Sequence, residues 1–166
     1  MPVRNILLAC VVIFGFVSAS SASSDDIAKI KALEQNLATA IASRNVDAIM
    51  QSYVPDESLF VFDVIPPRQY VGAKAFRKDW GDFLASLKGP LKYEVTDVAV
   101  TTVGDVGYGH SIQRVVATDT KGQPVDLTTR VTDVYRKLKG RWVIVHEHIS
   151  VPVDLDTGKP DLTSKP

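Results

Sequence analysis

From Lys92 onward the chain reads as strand and turn with no return to helix. Lys92–Val103, Gly107–Thr118, Val125–Lys137 and Arg141–Val151 are four consecutive runs rich in Val, Thr and Ile. Turn residues separate them, most plainly in Asp119-Thr120-Lys121-Gly122-Gln123-Pro124. β-Branched residues at alternating positions fit a pleated surface with one face covered. Successive strands joined by short turns pair antiparallel. A four-strand meander of this length has one face that must be hidden from water, and the segment before it has to supply the cover.

That segment is helical. Asp25 and Asp26 stand where a helix start wants an N-cap, and Ile27, Ile30, Leu33, Leu37 and Ile41 follow at three- and four-residue spacing. Arg44-Asn45 breaks the pattern, and Asn45 can cap a short second helix through Tyr53 that Pro55 ends. Ser58–Val64 reads as a short strand stopped by Pro66-Pro67, since neither proline donates to a ladder. A third helix after Gly72 carries Phe76, Trp80, Phe83, Leu84 and Leu87 on one side, and Gly89-Pro90 closes it. The expected fold is α+β: a curved antiparallel sheet packed on N-terminal helices, cone-shaped with a central pocket.

The last hairpin decides which side chains face the pocket. Leu138-Lys139-Gly140 reads as a three-residue loop with Gly140 in the left-handed position, which sets Lys137 opposite Arg141. Alternation then puts Thr129, Val131, Asp133, Tyr135, Val143, Val145, Glu147 and Ile149 on one face. Thr128, Arg130, Thr132, Val134, Arg136, Trp142, Ile144, His146, His148 and Ser150 take the other, with Arg130 opposite His148 and Thr132 opposite His146. The first face suits packing under helices with Asp133 and Glu147 at a cavity. The second suits a dimer contact or a solvated surface. A turn of two or four residues would instead bring the histidines to the side of Asp133.

His146-Glu147-His148 invites a metal reading, but alternation splits it. The only other histidine, His110, lies two strands away, and no metal site is expected. The N-terminus reads as an export signal: Arg4, an apolar run Ile6–Val17, then small residues fitting cleavage after Ala19 or Ala22. Removing the first 22 of the 166 residues would leave 144 in one domain with no cysteine, which excludes disulfide and thiol chemistry there. Nineteen basic and nineteen acidic side chains, without a basic block, give nucleic-acid binding no electrostatic support. The expected organisation is a signal peptide over 1–22, one domain over 23–152 and a flexible polar tail over 153–166.

The stretches FDVIPPRQYVG, GQP and RVTDVYRKLKGRWVIVHEHISVP resemble the nuclear transport factor 2-like superfamily, in its SnoaL-like and ketosteroid-isomerase-like branch. The resemblance runs from about Asp26 to Pro152. The C-terminal half is also similar to the association domain of calcium/calmodulin-dependent protein kinase II, which ends in a comparable G-K-W…V-H-x-H-x-S pattern. In ketosteroid isomerase the general base is an Asp nine residues before a Gly. Asp63 stands nine residues before Gly72, so the resemblance implies Asp63 as base. The isomerase's oxyanion hole adds a Tyr and a protonated Asp. The Tyr position falls on Leu37, and the second Asp falls on Asp133 with a final turn one residue shorter, otherwise on Thr132. Half the oxyanion hole is therefore missing, which argues against steroid isomerisation. The association domain's cavity arginines fall on Gln113, Asp133 and Ile149, so its acidic-ligand pocket does not carry over.

Two functions follow as expectations. One is an exported, periplasmic or secreted enzyme that binds a small, largely apolar molecule and moves a proton beside a carbonyl, as an isomerase, cyclase or dehydratase does. Its catalytic residues would be Asp63 and Asp133, with Tyr53, Tyr70, Trp80, Gln113 and Glu147 around the pocket and no cofactor. The other is a non-catalytic ligand-binding or dimerisation module, with Arg130, His146 and His148 at a homodimer interface. Neither involves nucleic acid, nor a membrane once the signal is cleaved.

Overall fold

The computed structural model describes residues 24–164, so the expected signal peptide lies outside the described residues. In chain order the elements are α1 (Ser24–Ala42), α2 (Val46–Met50), β1 (Phe60–Phe62), β2 (Tyr70–Val71), α3 (Ala73–Ala85), β3 (Leu87–Val103), β4 (Val106–Asp119), β5 (Pro124–Leu138) and β6 (Arg141–Ser150). The six strands form one open sheet ordered β2-β1-β6-β5-β4-β3. The fold is α+β, with the helices on one face of a curved sheet.

The helical stripe is buried as its spacing predicts: Ile30, Leu37 and Ile41 of α1 pack with Ile49, Tyr53, Phe76, Trp80, Tyr135, Trp142 and Ile144. Asn45 caps α2, accepting from the Ala48 N–H at 3.0 Å. Asp25 and Asp26 lie inside the first turn of α1, and Asp26 instead accepts from the Trp142 indole at 3.0 Å, tying the helix to the last hairpin. Arg44 fixes the junction of α3 and β3, donating to the carbonyls of Leu84, Leu87 and Gly89 at 2.8–3.0 Å. α3 stops at Ala85, so Leu87 belongs to β3 and not to the helical stripe.

The sheet is mixed where a purely antiparallel one was expected, because β1 runs parallel to β6 with Val61 beside Glu147. A parallel neighbour needs a long crossover, and here the connection spans both α3 and the meander. β2, which pairs antiparallel with β1, was not expected either.

The final hairpin corrects the expected register twice. Its loop has two residues, Lys139 and Gly140, both at positive φ as a type I′ turn requires, and Leu138 faces Arg141. Taken alone, that turn would carry His146 and His148 to the side of Asp133. A bulge after Ile144 absorbs one residue, so pairing resumes at Val134 with His146 and sets Asp133 directly opposite Glu147. The histidines therefore stay on the outer face. Below the bulge Trp142 and Ile144 share the inner face with Tyr135, contrary to strict alternation. Arg130 stands across from Ser150 instead of His148, and Thr132 across from His148 instead of His146.

The stretch after Pro152, expected to be loose, makes backbone hydrogen bonds. The Thr128 N–H donates to the Leu162 carbonyl at 2.7 Å, and Asp161 N–H to Pro152 at 2.9 Å. The Leu162 bond meets β5 just past the end of β6, where the β5 edge would otherwise be unpaired.

Candidate functional site

The inner face and α3 enclose a cavity of about 100 Å³. Its walls are mainly apolar: Val64, Ile65, Trp80, Phe83, Val115, Leu127 and Ile149, with Tyr93, Gln113 and Thr129 as polar points. Two carboxyls enter it, Asp63 and Asp79. Asp63 follows β1 on the same face as buried Val61, which the parallel pairing aligns with Glu147. Burial pushes the Asp63 carboxyl up to about 6, its own Val64 N–H opposes the rise, and the neighbouring Asp79 carboxylate adds to it. Asp79 accepts from the Tyr70 hydroxyl at 2.6 Å.

Beneath this wall lies a second group of acids. Tyr53 donates to Glu147 Oε2 at 2.6 Å. The Tyr135 hydroxyl donates to Glu34 Oε1 at 2.9 Å and lies 3.4 Å from Asp133 Oδ2. Glu34, Asp133 and Glu147 are each at most 3 % exposed, and Glu34 Oε2 and Asp133 Oδ1 have no hydrogen-bond partner among the described residues. No basic side chain compensates them among the described contacts. Burial therefore drives all three toward the neutral acid: Glu34 to about 7, Glu147 to about 8, and Asp133 well above the carboxylate range, with Glu147 and Glu34 adding repulsion.

Of the residues the sequence pointed to, Asp63, Trp80 and Gln113 line the cavity. Tyr70 reaches it through Asp79, while Tyr53, Asp133 and Glu147 form the buried layer below. Gln113 accepts a hydrogen bond from the Tyr93 hydroxyl and donates to Ser111 Oγ at 3.2 Å. Arg130, His146 and His148 lie on the opposite face. There His146 Nδ1 is 2.8 Å from the Phe60 carbonyl, and both imidazoles contact the Phe62 ring edge-on. Among the described residues no group of three His, Cys, Asp or Glu is set to hold a metal ion.

Two carboxyls escaped the sequence reading, and both carried a signal. Glu34 sits four residues after Ile30 and three before Leu37, inside the apolar stripe of α1. Asp79 sits three after Phe76 and four before Phe83 on α3. An acid on the buried side of a helix is the uncommon case that merits notice.

The SnoaL-like domain family matches residues 30–154. The chain belongs to that family. No curated protein matches it in sequence. Among solved structures, a nuclear transport factor 2-like protein of unknown function from Pseudomonas putida KT2440 is 28 % identical, with a TM-score of 0.79 over 88 % of this chain and all of that one. A ketosteroid isomerase-like protein from Erwinia carotovora atroseptica (18 % identity, TM-score 0.66, 77 % of this chain and 97 % of that one) shares the fold. So does a calcium/calmodulin-dependent protein kinase II association domain-like protein from Xanthomonas campestris (22 %, 0.62, 73 % and 84 %). These likenesses bear out the fold expected from the sequence.

Proposed function

We propose that this SnoaL-like protein binds a small, largely apolar molecule in its cavity and moves a proton on it, with Asp63 as the base. The observation that carries the reading is a single one: the Asp63 carboxyl stands in an apolar wall and is pushed up to about 6. A base near the working pH is ionised enough to act and basic enough to take a proton from carbon beside a carbonyl. Trp80 stands in the same wall, and its buried indole N–H has no acceptor among the described residues. The cavity's volume of about 100 Å³ is below the roughly 300–1,000 Å³ usual for drug-sized ligands, in keeping with a small substrate. Export to the periplasm or medium, after loss of residues 1–22, belongs to the same proposal.

The test is hydrogen exchange. Small ketones and β-hydroxy ketones are incubated with the protein in D₂O, and loss of the α-proton signal is followed by NMR. Asp63→Asn should bind the same compounds, by saturation-transfer NMR, and lose at least roughly 100-fold in exchange rate, the lower range for a general base. Exchange at the wild-type rate in this variant would sink the reading.

A second reading has one observation in its favour. Phe60, Phe62, His146 and His148 form a contiguous aromatic cluster on the outer face, with Phe62 36 % exposed. In this reading the protein is a homodimerising, non-catalytic binding module that pairs through this outer face. Light scattering at micromolar protein and neutral pH that gave a monomer would reject it.

A further inference from the structure

We propose that the molecule taken by the cavity is a small organic cation, an amine-bearing ketone whose ammonium end is held by the Asp79 carboxyl and the rings of Trp80 and Phe83. The inference rests on the reading of this cavity as the substrate site, and it names the charge that the substrate carries. The walls decide the sign. Asp63 and Asp79 line the cavity, and none of the other lining residues is Lys, Arg or His. Neither acid forms an ion pair with a basic side chain among the described residues. A carboxylate partly withdrawn from water without a countercharge is costly, and a ligand cation supplies the charge that the walls omit. An anion meets only repulsion there. Tyr93, in the same wall, lies in the same field: burial, and then Glu147, Glu34, Asp133 and Asp63, hold its hydroxyl well above the usual phenol range.

Helix α3 places the parts that meet the nitrogen. Asp79 and Phe83 are one turn apart and share a helix face, and Trp80 follows Asp79 directly. The rings of Trp80 and Phe83 stand edge to face, with centroids 5.9 Å apart, so the cavity has two aromatic walls set at a steep angle. A cation over a ring face is attracted by the ring quadrupole, most strongly by that of Trp, and the attraction grows where water is excluded. The Tyr70 hydroxyl donates to Asp79 Oδ1 at 2.6 Å and so fixes the carboxyl's orientation. Tyr70 is thus a positioning residue. Asp63 comes from a different element, the loop after β1, which leaves it for the carbonyl end of the ligand.

The experiment compares isosteres. Protonated dimethylaminoacetone and isobutyl methyl ketone differ by one nitrogen in place of one carbon, and isovalerate is an anion of similar size. Each is titrated into the wild-type protein at neutral pH, and its Kd is read by ligand-observed NMR. The ammonium ketone should bind at least roughly tenfold more tightly than the neutral one, and the anion more weakly than either. In Asp79→Asn the preference should shrink to within roughly threefold, with the neutral ketone's Kd unchanged. Should that variant not fold, Phe83→Leu takes its place: it keeps both carboxyls and should weaken the ammonium ketone more than the neutral one. The inference is overturned by a neutral ketone that binds as tightly as the ammonium, or by an ammonium that does not bind. A preference intact in Asp79→Asn, or equal losses for the two ketones in Phe83→Leu, overturns it as well. Binding is read without turnover, so the two readings fail separately. A tightly held ammonium ketone with α-proton exchange undiminished in Asp63→Asn would remove the base and keep the cation site. Exchange that depends on Asp63, with no preference for the ammonium, would do the reverse.

Discussion

Removing the charge of Glu34 should make the protein less sensitive to alkali, an effect that can be sized from the structure. Glu34 lies 3 % exposed between α1 and the sheet, and burial raises its carboxyl from 4.5 to about 7 against the pull of the Tyr135 hydrogen bond. A group whose folded-state value is raised contributes fully below its unfolded value, and that contribution is lost as pH climbs through the folded one. The window is therefore pH 4.5 to about 7. At about 1.4 kcal/mol per pH unit, the loss across it is about 3.5 kcal/mol. Glu34→Gln keeps an oxygen for the Tyr135 hydroxyl and removes the proton equilibrium. Urea denaturation at pH 5 and pH 8.5 measures the difference. Most of the loss falls between those values, so the variant should gain on wild type by about 2.5 kcal/mol from the lower pH to the higher. The remaining acids, Asp133 and Glu147, then relax and trim the figure, never its sign. Equal stability differences at the two pH values would refute the claim that burial holds Glu34 neutral.

Two further predictions concern the same layer. Tyr53→Phe leaves the ring packed against Phe76 at 5.1 Å but strips Glu147 of the hydrogen bond that the Tyr53 hydroxyl donates. It should cost about 1–3 kcal/mol, and more above pH 8, where Glu147 ionises and the phenol bond matters most, as denaturation at pH 6 and 9 would reveal. Gly109→Ala puts a Cβ 2.9 Å from the Ala99 carbonyl and 3.2 Å from the Tyr135 ring. A strand carbonyl cannot swing aside, so the melting temperature should fall by several degrees for an overpacking cost of about 1–3 kcal/mol.

How far the sequence alone could go is clearest at the last hairpin. Spacing alone implies a loop one residue longer and no bulge after Ile144, yet it sets Asp133 and Glu147 on the face that they occupy. The two departures cancel, and there is a physical reason why they must. A slip of one residue would expose Val131, 1 % accessible, and break the alignment of Glu147 with fully buried Val61. Burial of those neighbours chooses the face, and the turn and bulge adjust to it. Faces are thus legible from an apolar pattern even where a loop is misread.

Neighbours across elements are not legible in the same way. Nothing local announces that β1 lies parallel to β6, or that α3 brings Asp79 to Asp63, because those contacts close long loops whose geometry no short pattern encodes. Glu34 and Asp79 illustrate the middle case. Each lies inside an apolar helical stripe and so was identifiable as an inward-facing acid. What each acid meets inside depends on the sheet register. Tyr135 reaches Glu34 because β5 sets it two residues from Asp133 on one face, and Tyr70 reaches Asp79 because β2 turns back along β1. The spacing that makes these side chains inward can be read from one strand or helix. The pairing that turns inward acids into a site is a property of the assembled sheet.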